Sequence, residues 1–201
     1  KPSECKEGVE LLHWNNIKFK DYKFNKKLAF IYGFFFGDGS CENYDCSDEN
    51  KYSFTLNNQN LEYLQKCINI FNEYYNDVKL EMLDTTKNNI VYKATATGKI
   101  KNLVMEYRKL FYSERRLKKV PNIILNSDNE IKQSFIDGYY LSDSSKDKTS
   151  FYGMSCKGQI GSQGLFILLH SIGYNVSINT RKDKEEIYYL TYTMKKHKKN
   201  P

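Results

Sequence analysis

The chain has 201 residues, of which 40% are hydrophobic and 15% aromatic, so it can bury a sizeable core and is not a disordered segment. It holds no run of about 18 apolar residues and no basic-then-apolar N-terminal segment, so the sequence indicates neither a membrane-spanning nor a secreted protein. Lys and Arg number 31 against 24 Asp and Glu, and the resulting net charge of +7 favours a polyanionic partner such as nucleic acid.

The cysteines also bear on the compartment. They number five and are irregularly spaced, which argues against a disulfide framework. Cys41 and Cys46 lie close together in a polar stretch, but no second pair completes a zinc site. We therefore expect free thiols and an intracellular, reducing location.

Hydrophobic periodicity predicts two successive runs of helices and strands. The first run comprises a helix at 25–37, a strand at 52–56, a helix at 60–75, strands at 78–83 and 90–97, and a helix at 99–111. The helix at 60–75 is expected to bury one face, formed by Leu61, Leu64, Ile68 and Phe71.

The second run repeats this order. Its predicted elements are a helix that Ser127 or Asp128 caps and that ends near Leu141, a hairpin that ends at Cys156, a helix at 159–172, and strands at 175–179 and 187–193. The repetition predicts a duplicated α+β unit. The expected segments are an N-terminal arm at 1–25, a first half at 26–117, a linker at 118–127 and a second half at 128–201.

Aligning residues 30–40 (FIYGFFFGDGS) with 135–145 (FIDGYYLSDSS) tests the duplication. The two segments share five identities and two aromatic exchanges in eleven positions, which is unexpected for unrelated helices. Gly33 and Gly37 lie four residues apart, as do Gly138 and Ser142, so each helix carries a strip of small residues on one face. Because glycine inside a helix costs about 1 kcal/mol relative to alanine, we expect the strips to allow close helix packing.

Each repeated helix is expected to end at an aspartate, Asp38 in the first half and Asp143 in the second. The C-terminal end of a helix is electronegative, and two adjacent carboxylates repel each other, so both groups need a counter-charge. Mg²⁺ suits such oxygen ligands and often uses only one or two protein carboxylates. Either aspartate alone would fit an ordinary turn, whereas two at matching places favour a divalent cation site.

Residues 31–39 (IYGFFFGDG) and 136–144 (IDGYYLSDS) resemble the paired LAGLIDADG motifs of homing endonucleases. Three further blocks are similar to the endonuclease domains of inteins in family B DNA polymerases. These blocks are 118–125 (KKVPNIIL), 156–165 (CKGQIGSQGL) and 171–184 (SIGYNVSINTRKDK). The resemblance covers roughly residues 15–195 and implies two αββαββα halves related by a pseudo-twofold axis, with a β-saddle over double-stranded DNA.

The resemblance also implies a site and a reaction. Asp38 and Asp143 would be the catalytic carboxylates and metal ligands, with Gly37 and Ser142 as further metal-binding positions. Mg²⁺, for which Mn²⁺ can substitute, would assist phosphodiester hydrolysis that leaves 3′ overhangs. Lys118 would polarise solvent or stabilise charge on the phosphate, while its counterpart in the second half stays open between Lys157, Lys182 and Lys198.

The expected DNA contacts fall on exposed strand residues and on basic side chains near the site, since sheets can read base edges and Lys or Arg can neutralise phosphates. They are Tyr52, Thr55, Lys93, Thr95, Arg115, Arg116, Lys119, Lys157, Arg181, Lys182 and Lys184. Two different halves in one chain imply a monomer that reads a non-palindromic site.

Neither terminus has the Cys or Ser and the His-Asn pair of a splicing domain. We therefore expect an endonuclease insert, covalently linked in its precursor to a splicing domain and to polymerase exteins. Three alternatives stay open at this stage: a decayed relative that binds DNA without cutting it, since the second hairpin is short, an RNA maturase, and a structural insert that only stabilises its host intein.

Overall fold

The structure is a computed structural model that describes residues 22–45, 50–83, 91–146, 151–180 and 186–193. The first half contains α1 (Lys26–Asp38), β1 (Gly39–Asp45), β2 (Asn50–Asn58), α2 (Leu61–Tyr74), β3 (Val78–Leu83), β4 (Tyr92–Gly98) and α3 (Ile100–Phe111). A short helix, α4 (Asn122–Leu125), lies in the linker. The second half contains α5 (Asn129–Asp143), β5 (Ser144–Lys146), β6 (Phe151–Lys157), α6 (Gln159–Ser171), β7 (Asn175–Thr180) and β8 (Ile187–Thr193).

The two halves have the same sheet topology. Sheet 1 has the strand order β1-β2-β4-β3, sheet 2 has the order β5-β6-β8-β7, and all neighbouring strands are antiparallel. Gly39 pairs with Leu56 and Ser144 pairs with Met154, so each first hairpin begins at the residue that follows an aspartate. Asp38 and Asp143 therefore occupy equivalent junctions between a helix and a sheet.

Helix α1 lies at the centre of the molecule because it is apolar on every side. All residues from Leu28 to Phe36 are buried, and the side chain of Asn25 caps the start of the helix by accepting a hydrogen bond from the Leu28 amide. Helix α5 is capped by Asp128, whose carboxylate accepts from the Ile131 amide at 2.9 Å. Of the two predicted caps it is thus Asp128 that acts, while the Ser127 hydroxyl donates to the carbonyl of Ile123.

Helices α2 and α3 pack on one face of sheet 1, and α6 packs on one face of sheet 2. Residues directly opposite each other on neighbouring strands share a face. Phe54 and Leu56 on β2 and Met154 and Leu190 in sheet 2 are all fully buried and mark the helix-covered faces. We call the other two faces the open faces of sheets 1 and 2.

Several predicted details need correction. Strand β1 was not predicted, because GSCENYD is poor in β-forming residues and forms a strand only through pairing with β2. Leu61 is 44% exposed instead of buried, and Cys67 takes its place on the buried face of α2. The described cysteines, Cys41, Cys67 and Cys156, are free thiols, as expected.

The described helices are all too short or too polar to cross a membrane. The predicted N-terminal arm, apart from residues 22–25, lies outside the described residues, as do residues 194–201.

Candidate active site

Helices α1 and α5 approach so closely that glycine is required at the contact. A Cβ added at Gly33 would overlap the carbonyl oxygen of Phe135, and one added at Gly138 would overlap that of Phe30. These four residues are matching pairs in the aligned repeat, so the two contacts are reciprocal, as a twofold axis between similar halves demands. The small-residue strips therefore form the axis of the duplicated fold.

The strips continue to the helix ends, where the carboxylates lie. A Cβ added at Gly37 would overlap the Ser142 hydroxyl, which itself donates to the carbonyl of Tyr139 at 2.8 Å. Asp38 and Asp143 are the last residues of their helices. The close packing of α1 on α5 thus brings the two carboxylates together at one end of the helix pair.

The surroundings of the two carboxylates disfavour their charged forms. Burial, and secondarily the neighbouring Asp143, raise the pKa of Asp38 to about 6, while Lys118 and a hydrogen bond from Asn58 act in the opposite direction. Burial also raises the pKa of Asp143, again opposed by Lys118. The ordinary pKa of an aspartate is about 4, so this pair lacks a full counter-charge within the described chain.

Lys118 reaches from the linker to the C-terminal end of α1. Its ammonium group donates hydrogen bonds of 2.6 to 3.0 Å to the main-chain oxygens of Phe35, Phe36, Gly37 and Gly39. An ammonium group has three protons, so these four acceptors engage all of them. Burial lowers the pKa of Lys118 to about 8, although the Asp38 carboxylate opposes this effect. Lys118 therefore caps α1, and its charge opposes the rise in the pKa of both carboxylates.

The end of α5 is held differently. The side-chain amide of Asn58, at the end of β2, donates to the carbonyl of Leu141 at 3.2 Å and to the Asp38 carboxylate at 3.3 Å. The neighbouring Asn57 donates to the main-chain oxygen of Asp38 at 3.1 Å. Sequence reasoning missed both residues, although an Asn-Asn pair directly follows the strand predicted at 52–56.

Two cavities open beside the carboxylates. The first, of about 490 Å³, is lined by Asp38, Asn57, Asn58, Gln59, Val91, Leu141, Ser142, Asp143, Gly153 and Ser155. The second, of about 310 Å³, is lined by Phe36, Gly37, Tyr112, Arg116, Leu117, Lys118, Tyr139, Asp143, Ser155, Cys156 and Lys157. Asp143 borders both cavities, whereas Asp38 lines only the first.

The described residues contain no group of three or more His, Cys, Asp or Glu side chains arranged to hold a metal. The donors that the site does offer are the two carboxylates and the main-chain oxygens of Gly37 and Ser142 beside them. The Gly37 oxygen accepts a hydrogen bond from Lys118 at 3.0 Å, which leaves it one lone pair. Such a sparse set of hard oxygen donors fits Mg²⁺ that completes its coordination with phosphate and water.

The strand residues predicted to contact DNA do not all share a face. Lys93, Thr95 and Thr55 lie on the open face of sheet 1, where Lys93 is half-buried. Thr55 is buried with its hydroxyl 2.8 Å from that of Ser40, and the Thr95 hydroxyl is buried as well, so neither hydroxyl is exposed as predicted. Tyr52 lies on the helix-covered face with Phe54, and Lys101 of α3 lies 5.9 Å from its ring centre. The alternation of the strand thus places Tyr52 away from the surface for which it was predicted.

The predicted basic contacts divide between two places. Arg116 and Lys157 are exposed and line the second cavity with Asp143, and Arg116 has a φ of 59°, a conformation that non-glycine residues rarely adopt. Arg115 and Lys119 line a separate groove of about 640 Å³ beside α6. The predicted contacts at Arg181, Lys182 and Lys184, and the candidate counterpart Lys198, lie outside the described residues.

No protein-family model matches the chain. A DNA polymerase of Acanthamoeba polyphaga mimivirus is 46% identical to it over 208 residues, a match that covers 100% of the chain. The chain spans only 12% of the length of that polymerase.

Among solved structures, the fold is similar to that of the homing endonuclease I-DmoI. In a study of mesophilic variants the TM-score is 0.65 at 15% identity, over 84% of this chain and 89% of that one. In the complex of I-DmoI with DNA and Mn the TM-score is 0.63 at 15% identity, over 84% and 90% of the two chains. The homing endonuclease I-WcaI, bound to its DNA recognition sequence, gives 0.51 at 15% identity, over 86% and 77%. These similarities confirm the α+β LAGLIDADG fold.

Proposed function

We propose that this chain, which has the LAGLIDADG homing endonuclease fold, is the site-specific endonuclease domain of an intein within a DNA polymerase. The observation that carries the proposal is the pair of carboxylates, Asp38 and Asp143, which two reciprocally packed helices hold together at the wall of one cavity. The sequence similarity to 12% of a polymerase, over the whole length of this chain, supports an insert in a polymerase. The reaction would be metal-dependent hydrolysis of both DNA strands, leaving 3′ overhangs and promoting intein mobility.

Asp38, Asp143 and the main-chain oxygens of Gly37 and Ser142 would hold Mg²⁺ or Mn²⁺. The bound cation would supply Lewis-acid stabilisation of the attacking and leaving oxygens. Burial without a full counter-charge raises the pKa values of both carboxylates, so the binding of a cation beside them would be favourable. Each carboxylate would serve the cleavage of one strand.

Lys118 would contribute by charge and by placement. Because its protons already reach the main-chain oxygens of α1, it would act on the phosphate through its electrostatic field and would hold Asp38 at a fixed helix end. Of the two roles that the resemblance implies, this is the stabilisation of charge on the phosphate and not the polarisation of solvent. Arg116 and Lys157, which line the cavity beside Asp143, are placed to neutralise phosphates of the bound strand.

The open faces of the two sheets would bind the DNA duplex. Sheet 1 presents Lys93 there, whereas the Thr95 hydroxyl is buried, and sheet 2 presents Ser155 and Asn179. Hydroxyl and amide groups of this kind can read base edges in the major groove. Since the two faces differ in sequence, a monomer would read a target whose half-sites differ.

A cleavage assay tests the proposal. The substrate is a supercoiled plasmid that carries the polymerase coding sequence without the insert, incubated with the protein and Mg²⁺. We expect linearisation at one place, and a loss of about 1,000-fold or more in the Asp38→Asn and Asp143→Asn proteins. Asp128→Asn is the matched control, because it makes the same change at the other end of α5, where Asn also caps a helix.

The other outcomes separate the alternatives. Tight, salt-sensitive binding to the plasmid without any cut would overturn the nuclease function and indicate a DNA-binding relative that has lost activity. Preferential retention by folded intron RNA in competition with duplex DNA would indicate a maturase. Equal cutting by the wild-type and both aspartate variants would show that a different site, or a contaminant, cleaves the DNA.

A further inference from the structure

The side chain of Asn58 forms hydrogen bonds beside the carboxylates, and the proposed function has not yet assigned it a role. It is the last residue of β2 and is only 6% exposed. Its amide donates to the carbonyl of Leu141 at 3.2 Å and to the carboxylate of Asp38 at 3.3 Å. Its side-chain oxygen accepts from the Asn60 amide at 2.8 Å, next to the residue that begins α2. One side chain thus ties a strand end of the first half to the carboxylate of α1 and to the last turn of α5.

The described part of the second half has no amide at the equivalent position. In the aligned hairpins Leu56 pairs with Gly39 and Met154 pairs with Ser144, so the position that matches Asn58 is Cys156. The thiol of Cys156 lies 3.7 Å from the carbonyl of Lys157 and also interacts with Ser162, and both partners belong to the second half. The hydrogen bond between the two halves at this end is therefore contributed by the first half, through the side-chain amide of Asn58.

Resting on the function proposed above, we infer that Asn58 is a positioning residue that sets the place of the Asp38 carboxylate relative to the end of α5, and so the spacing of the two metal-binding carboxylates. An amide suits this task because its two N–H groups satisfy an acceptor on each helix without adding charge. Its oxygen is fixed by the Asn60 amide, which locks the side-chain orientation. Groups that orient metal ligands typically affect metal affinity or activity by about 10- to 100-fold.

The test compares Asn58 with a structural asparagine that makes similar bonds elsewhere. Asn72 of α2 donates to the carbonyl of Leu80 at 3.0 Å and accepts from its amide at 2.7 Å, with no contact to the carboxylates. We would prepare Asn58→Ala, Asn58→Asp and Asn72→Ala and measure thermal unfolding, DNA binding in EDTA, single-turnover cleavage of each labelled strand, and Mn²⁺ binding by electron paramagnetic resonance.

We expect Asn58→Ala to lower the cleavage rate of both strands at saturating DNA by about 10- to 100-fold, and to weaken Mn²⁺ binding by about tenfold, with DNA affinity unchanged. Asn58→Asp keeps the acceptor for Asn60 but loses both donors, so it should cleave no faster than Asn58→Ala. Asn72→Ala should unfold at a lower temperature yet keep wild-type Mn²⁺ affinity and cleavage when folded.

Wild-type Mn²⁺ affinity in Asn58→Ala would overturn the role of Asn58, whether or not the protein cuts DNA. Equal losses of cleavage and Mn²⁺ binding in Asn72→Ala would also overturn it, because they would show a general effect of reduced stability. A wild-type protein that binds Mn²⁺ without cutting would refute the proposed nuclease function alone, and the Mn²⁺ comparison would still decide the role of Asn58.

Discussion

The two halves of the molecule make matching contacts where their helices pack together, but different groups surround the two carboxylates. The contacts of Gly33 with Phe135 and of Gly138 with Phe30 are reciprocal, and both sheets have the same strand order. At the helix ends, by contrast, an ammonium group holds α1 and a neutral amide holds α5. Helix contact at a twofold axis constrains both copies equally, whereas the groups around each carboxylate can change in one copy alone.

The open faces of the sheets differ in the same way. On sheet 1 the strand pairing gathers charged residues, among them Lys93 and Glu81. On sheet 2 it gathers hydroxyl and amide groups, among them Ser177, Asn179 and Thr191, and the hydroxyls of Ser177 and Thr191 are 2.6 Å apart. The duplicated scaffold therefore presents two chemically distinct surfaces, as the proposed recognition of an asymmetric target requires.

Removal of the Lys118 ammonium should have the largest effect, because no described residue supplies an equivalent cation to the second helix end. In Lys118→Met the main-chain oxygens of α1 lose their donor and the pKa of Asp38 rises further. We expect cleavage to fall by about 1,000-fold and the free energy of unfolding to fall by about 2 kcal/mol. Cleavage assays and guanidinium unfolding measure the two effects.

Lys109→Met, at an exposed position of α3, is the matched control for this change. Lys118→Arg keeps the charge but cannot place one compact group among four carbonyls, so it should recover stability only in part. Full activity in Lys118→Met would show that the difference between the helix ends has no catalytic consequence.

The reciprocal helix contact makes the next prediction. Gly33→Ala and Gly138→Ala each force a methyl group into a facing carbonyl, so each should lower the free energy of unfolding by about 3 kcal/mol. The two costs should agree within experimental error, since the contacts are related by the pseudo-twofold axis. Denaturant unfolding of both variants measures them, with Gln163→Ala on the exposed side of α6 as a control. A clearly smaller cost for one glycine would show that the halves are not equivalent even at their shared axis.

The raised pKa of Asp38 gives a pH-dependent difference between the wild type and Asp38→Asn. Its pKa is about 6 in the folded protein and about 4 in an unfolded chain, so the folded state binds more protons between these values. The contribution of Asp38 to the free energy of unfolding is therefore fully present below pH 4 and is lost as the pH rises to 6. We compare the free energy of unfolding of metal-free Asp38→Asn with that of the wild type. After allowance for the partial exposure of Asp38, we expect this difference to be about 1.5 kcal/mol more favourable to Asp38→Asn at pH 7.5 than at pH 4.

Guanidinium unfolding in EDTA at the two pH values tests this expectation. Addition of Mg²⁺ at pH 7.5 should stabilise the wild type and not Asp38→Asn, because the cation would offset the repulsion between the Asp38 and Asp143 carboxylates. A constant stability difference across the pH range would show that Asp38 ionises freely in the folded protein.

The parts of this fold that follow local patterns could be predicted from the sequence. The repeated helices, their small-residue strips and the aspartates at their ends all follow from eleven aligned residues. Strand β1 could not, because its polar residues adopt a strand only in the hairpin with β2. Tyr52 shows a related limit: alternation fixes the period of a strand but not which of its faces a helix covers.

The candidate site shows a second limit, which concerns contacts between distant segments. Asn58 reaches Leu141 only because the register of sheet 1 ends β2 beside a helix of the other half. Nothing in the residues around either position signals that contact. The resemblance identified Lys118, but its bonds to the end of α1 emerge only when the linker is placed against that helix.

The smallest expected effects lie on the open faces, where a single contact contributes little to a large DNA interface. Lys93→Gln removes a charge from sheet 1 and should weaken DNA binding for all sequences, lowering the slope of log affinity against log salt by about 1. Asn179→Ala removes an exposed amide from sheet 2 and should leave that slope unchanged while reducing discrimination between the target and base-substituted targets by about 1 kcal/mol. Fluorescence anisotropy at several salt concentrations separates the two effects. If both variants changed the slope equally, the two sheets would bind DNA by the same chemistry, and the asymmetry of the target would have to be read elsewhere.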